Sequence, residues 1–133
     1  MKKAVIYARH SKLTGAEKLL EKQIEYCTYY AKKNGYDVVK VYSDLGLATE
    51  PRAGYDELLT DAATADWNYV IVAACNRLTV TFNQFYNDLS VLRENDIQIV
   101  DIKDSCIINL SEATKNLDAN PIFKIQGDKR KEI

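Results

Sequence analysis

The sequence predicts an α/β domain, with a three-layer, mainly parallel sheet of four to five strands flanked by helices, on three observations. Short runs rich in Val, Ile and Tyr alternate with stretches whose apolar residues recur at helical spacing. The first and third runs are almost continuously apolar, as strands buried on both faces are. The length, 133 residues, suits one domain whose core needs no disulfide or metal staple.

In chain order, the expected strands are Ala4–Ala8, Val38–Tyr42, Tyr69–Ala74 and Ile97–Ile102. Between the first two, Ala16, Leu19, Leu20, Ile24, Cys27 and Ala31 recur at steps of three and four, and Asn34-Gly35 supplies the helix stop. A second helix is expected over Tyr55–Ala65. A third carries Phe82, Phe85, Tyr86, Leu89 and Leu92 on one stripe and ends near Asn95. After Lys103 the pattern weakens: Cys106–Leu110 and Ile122–Ile125 read as short strands, and residues 126–133 as a polar tail. Residues 1–103 are therefore expected to form the core, and 104–133 an extension of the same domain, with no separate DNA-binding domain.

Strand, helix, strand in repetition implies right-handed crossovers and an open sheet. In such sheets the binding crevice lies beyond the carboxyl ends of the strands, which directs attention to the loops at 9–15, 43–54 and 75–81.

Composition narrows the function classes. Hydrophobic residues make up 47% and charged residues 28% of the chain, which excludes disordered and collagen-like readings. Three cysteines, far apart and without a C-x-x-C pair, argue against a disulfide framework or structural zinc and fit a reducing cytoplasm. The apolar run Ala4–Ala8 is too short for a membrane span or signal-peptide core. Net charge is −1, which at face value disfavours nucleic acid, yet residues 1–43 carry +5, residues 44–101 carry −7 and the remainder +1.

The crevice loops exclude several chemistries. No glycine-rich phosphate loop follows the first strand. A phosphoacceptor receiver needs acidic residues there; Arg9, His10 and Ser11 stand in their place. A cysteine-phosphatase loop needs an Arg six residues after its Cys, and six after Cys75 is Thr81.

What the loops do contain suits a phosphodiester. If strand alternation persists, Arg9 and Ser11 share a face: a hydroxyl beside a guanidinium able to hold two phosphate oxygens. Taken alone, the pair also fits a loop serine beside a solvated arginine. Gln23 interrupts the apolar stripe of the first helix, so it is either a buried amide satisfied by backbone or a residue that orients the nucleophile loop. Arg52 and Arg77 occupy the other two loops. His10, the only histidine, points away from Ser11 by alternation and is read as structural, and Trp67 and the tyrosines as packing.

Together these residues resemble the catalytic domain of the serine recombinases, the resolvase and invertase family. Tyr7-Ala8-Arg9-His10-Ser11 resembles the Y-x-R-x-S nucleophile motif, and Leu20-Glu21-Lys22-Gln23 the L-x-x-Q of the first helix. Asp44-Leu45-Gly46 with Pro51-Arg52 resembles the D-x-G loop and its arginine, and Asn76-Arg77-Leu78-Thr79 resembles D-R-L-S. The resemblance covers about residues 3–102.

It implies metal-free, cofactor-free strand exchange on DNA through a 5′-phosphoserine, in a site-specific recombinase of the kind mobile elements use for DNA integration. Ser11 is then the nucleophile; Arg9, Arg52 and Arg77 bind the DNA phosphate, and Gln23 supports them. The implied partners are DNA and further copies of the chain, as a dimer or tetramer, with no membrane and no small-molecule cofactor.

The chain departs from the family pattern at Asn76, where an Asp is usual, at Ala48-Thr49, where S-G is usual, and at Val80, where a second Arg is usual. Val80 cannot donate a hydrogen bond, and loss of one oxyanion donor costs roughly 10²–10³ in rate. A catalytically inactive, resolvase-like interaction or regulatory module is therefore the alternative, and an α/β domain binding another anion through Arg9 and Arg77 is a third.

Overall fold

A computed structural model describes residues 2–12, 14–46, 51–74, 90–103 and 106–108. Its elements are β1 (Lys2–His10), α1 (Ala16–Lys33), β2 (Tyr36–Leu45), α2 (Ala53–Ala62), β3 (Tyr69–Val72), a helical stretch at 90–94, β4 (Gln98–Asp101) and β5 (Cys106–Ile108). They form one five-stranded sheet in the order β2-β1-β3-β4-β5. All neighbours run parallel except β4 and β5, which are antiparallel. The expected α/β class with four parallel strands is what the chain adopts.

The apolar run that marked the first strand is the centre of the fold. Every residue from Ala4 to Ala8 is fully buried, because helices cover both faces. Alternation divides these side chains between two cores. Ala4 and Ile6 pack with Cys27 and Ala31 of α1. Val5 and Tyr7 face the other way, onto Tyr55, Leu58 and Ala62 of α2 and Leu92. Trp67 joins this second core, as the packing reading expects, whereas Tyr26 and Tyr29 on α1 are exposed.

β1 and β2 run further than hydrophobicity suggests. Their ladder continues from Lys2 opposite Tyr36 to His10 opposite Leu45, so backbone pairing holds polar residues that carry no apolar signal. Between Ala4 and Val5 the register slips: Val38 pairs with Ala4 and Lys40 with Val5, leaving Val39 as a bulge in this edge strand. Beside it Lys40 reaches Glu57 and Asp61 of α2, both at 3.1 Å, so the edge presents charge where another strand could otherwise add.

α1 starts and stops where expected, with Gly35 at φ 80 just past its end. α2 begins two residues before the expected Tyr55 and ends three before Ala65. β3 stops at Val72, two residues short of Ala74. The expected strand at 106–110 is present as Cys106–Ile108. The stripe Phe82–Leu89, the run Ile122–Ile125 and the polar tail lie outside the described residues. Among the described residues, no helix is long and apolar enough to cross a membrane.

Candidate phosphate-handling site at the strand ends

The carboxyl ends of β1 and β2 and the N-terminus of α2 meet at one place, and the sequence-derived site residues in the described part of the chain gather there. β3 pairs with β1 only as far as Ile6. Beyond that point β1 has lost its neighbour on one side. At His10 the carbonyl accepts a 2.8 Å bond from Gly46 N–H on the β2 side, so the main-chain groups of Arg9 point the other way, past the end of β3.

Gln23 fills that gap. Its Oε1 accepts from Arg9 N–H and its Nε2 donates to Arg9 C=O, each at 3.1 Å. The two readings of Gln23 thus merge: it is satisfied by backbone, and the backbone is that of Arg9, on the strand that leads to Ser11. An amide provides donor and acceptor in the spacing a neighbouring strand would offer, which explains a polar residue on an otherwise apolar helix stripe.

The Arg9 side chain is 6% exposed, and its Nη1 donates to Gly46 C=O at 2.9 Å. Gly46 therefore serves both the strand end and the guanidinium. Its φ of 131° lies where residues with a Cβ are strained, so a glycine is required.

Tyr7, Asp44 and Arg52 form the second half of the site. Tyr7 Oη–H donates to Asp44 Oδ2 at 2.9 Å, and Gly54 N–H and Tyr55 N–H donate to the same carboxylate at 2.8 and 2.9 Å. Asp44 on β2 thus caps α2 from outside the helix, whose own N-cap residue, Arg52, makes no side-chain capping bond. This external cap accounts for the early start of α2. The approach is close: a Cβ on Gly54 would overlap the main-chain oxygen of Ser43.

Arg52 is 4% exposed, its Cζ 3.9 Å from the centre of the Tyr55 ring and its Nη1 3.5 Å from Tyr7 Oη. Stacking and burial hold its planar fork in place. Burial above all, and then the Asp44 hydrogen bond, push the Tyr7 phenol well above its ordinary value, with Arg52 opposing. Tyr7 consequently stays protonated and keeps donating to Asp44.

Ser11 is the first residue past β1, half-buried, so strand alternation does not extend to it. Its carbonyl lies 3.1 Å from His10 Nδ1. The recorded contact of the imidazole is thus with the Ser11 main chain and not with its hydroxyl. A cleft of about 640 Å³ lies alongside, lined by Lys12, Thr14, Gly15, Ala16, Glu17 and Leu45.

Arg9, Ser11, Gln23 and Arg52 thus stand on elements that converge at the strand ends. Arg77, with Asn76 and Val80, lies outside the described residues. Sequence reasoning gave Tyr7, Asp44 and Gly46 no role, although they stand in the Y-x-R-x-S and D-x-G segments. Tyr7 had a usable signal, a hydroxyl inside a run of small aliphatic residues that must find a partner when buried.

The resolvase N-terminal domain family model matches residues 4–128. Among solved structures, the C-terminal catalytic domain of ISC1926 TnpA, an IS607-like serine recombinase, is 31% identical, with 75% of this chain and 68% of that one covered and a TM-score of 0.68. The N-terminal catalytic domain of TP901-1 integrase is 25% identical over 98% of both chains, also at 0.68. A resolvase family site-specific recombinase from Streptococcus pneumoniae shares the fold at TM-score 0.70 over 99% of both chains, with 18% identity. No curated protein matches. With a family match over almost its whole length and a serine recombinase 31% identical over 75% of this chain, the chain belongs to the resolvase family and is a serine-recombinase catalytic domain.

Proposed function

We propose that this domain cleaves and rejoins DNA strands, with Ser11 as the nucleophile. The observation that supports the reading is that two buried, fixed guanidiniums, Arg9 on β1 and Arg52 at the start of α2, stand on the elements that meet where β1 ends and Ser11 follows. In the reaction, Ser11 Oγ bonds to phosphorus as the P–O3′ bond breaks. The 5′ end stays on the protein as a phosphoserine, and the leaving 3′ oxygen takes up a proton to match the one lost from Oγ. Rejoining is the reverse attack by a 3′ hydroxyl. One phosphodiester replaces another, so the exchange needs no cofactor.

Arg9, Arg52 and Arg77 bind the phosphate oxygens and offset charge that develops in the transition state. Gln23 holds the Arg9 backbone against α1. Asn76 and Val80 weaken the site, because neither carries the charge that the family pattern provides there. DNA is the substrate, further copies of the chain complete a dimer or tetramer, and residues 104–133 extend the same domain.

The second reading, an inactive resolvase-like interaction module, is favoured by Val80. The two separate in one assay. The protein, fused to a sequence-specific DNA-binding domain, is incubated with nicked DNA bearing the matching sites, and covalent protein–DNA adduct is measured. Adduct lost in Ser11→Ala, and increased by Val80→Arg with Asn76→Asp, supports cleavage. No adduct in either the native or the restored protein leaves the interaction module.

A further inference from the structure

Between the end of β1 and the start of α1, the described residues have a single side-chain anchor, His10 on Ser11. The β1–β2 ladder ends at His10, whose carbonyl takes the Gly46 N–H, and α1 does not begin until Ala16, behind a Gly15 whose φ is 80° and which offers no side-chain cap. Ser11 stands between these two supports. Among the described residues its one hydrogen bond joins its main-chain carbonyl to His10 Nδ1 at 3.1 Å.

A carbonyl oxygen only accepts, so this contact requires the proton on Nδ1. In the neutral ring the Nε2 position then holds the lone pair. We infer that His10 is a positioning residue: fixed as the Nδ1–H tautomer, its ring holds the peptide that follows Ser11 and so sets where the Ser11 hydroxyl is presented. Alternation sends the ring to the α1 side of the sheet, the side opposite Tyr7, and from there it reaches back to the chain rather than to the hydroxyl. The ring is therefore a clamp and not a base. The clamp itself rests only on the contact; its importance for cleavage rests on Ser11 being the nucleophile.

His10 is the only histidine in the chain, so its ring nitrogens give a single set of NMR signals. With the full chain ¹⁵N-labelled and held well above the ordinary imidazole pKa of about 6.5, long-range ¹H–¹⁵N correlation should show the Nδ1–H tautomer. The Nε2–H tautomer overturns the inference. His10→Asn places an amide N–H where Nδ1 stood, His10→Gln places one where Nε2 stood, and His10→Ala supplies neither. The equilibrium constant for unfolding, from urea denaturation, should be about fivefold larger in the Ala and Gln variants, the factor that one ordinary hydrogen bond provides, and close to native in the Asn variant. Equal stability in all three overturns it.

Adduct formation should follow the same order, native and Asn above Gln and Ala. A native protein that forms adduct no faster than His10→Ala removes the positioning role. Absence of adduct in both the native protein and the Val80→Arg, Asn76→Asp protein contradicts the nucleophile assignment, and the tautomer and stability results still decide the clamp.

Discussion

The side-chain amide of Gln23 makes two hydrogen bonds to a single residue, Arg9, both 3.1 Å and both to main-chain atoms. It stands in for the strand that β1 lacks once β3 has ended. Gln23→Leu, of similar size, leaves the main-chain donor and acceptor of Arg9 facing an apolar side chain. It should lower stability by about 1–3 kcal/mol, as measured by urea denaturation, and Gln23→Glu should not restore it, because the second carboxylate oxygen then faces the Arg9 carbonyl that the amide N–H satisfied.

Asp44 collects donors from three residues, Tyr7, Gly54 and Tyr55. Asp44→Ala should therefore be more damaging than removal of any one donor, at about 2–3 kcal/mol against roughly 1 kcal/mol for Tyr7→Phe. Denaturant midpoints compared at unchanged slope test the order. A larger loss in Tyr7→Phe than in Asp44→Ala would contradict the capping role.

Gly54 separates propensity from contact. Ala is favoured over Gly in a helix by about 1 kcal/mol, so propensity alone makes Gly54→Ala stabilising. The main-chain oxygen of Ser43 occupies the space that the new methyl needs. Gly54→Ala should therefore destabilise by about 1–3 kcal/mol net, because backbone cannot rotate away as a side chain can. A raised melting temperature would show that α2 shifts more easily than this packing implies.

Stability should decline in alkali. Burial pushes the Cys27 thiol up to about 12, and burial with the Asp44 hydrogen bond raises Tyr7 as well. Both groups hold their protons more tightly when folded, so their contribution is complete below the unfolded thiol and phenol values of about 8.5 and 10 and is lost as pH rises through the folded values. Each contributes a slope of up to about 1.4 kcal/mol per pH unit inside its own window. Cys27→Ala should flatten the decline between about pH 9 and 12, and an unchanged profile would contradict the assigned burial effect.

The strands and helices were legible wherever burial is two-sided or periodic, as in Ala4–Ala8 and the α1 stripe. Strand ends were not, because the ladder from Lys2 to His10 is held by backbone bonds that no side chain announces. The early start of α2 depends on Asp44, nine residues upstream of Ala53 and on another element. Gln23 was legible as an exception to a pattern, though its partner was not, since nothing local shows that β3 ends before β1 does. Arg9 and Arg52 could be chosen by residue type and loop position. Their near-complete burial, and the Tyr7–Asp44 pair behind Arg52, emerge only from packing.

The most direct test is the chemical identity of the protein–DNA link. Adduct trapped on nicked DNA is digested and the modified peptide sequenced by mass spectrometry. A nucleotide 5′-phosphate is expected on Ser11 Oγ, in the peptide that also contains Arg9. Attachment at a tyrosine, through a 3′-phosphate, or at any other serine would contradict it.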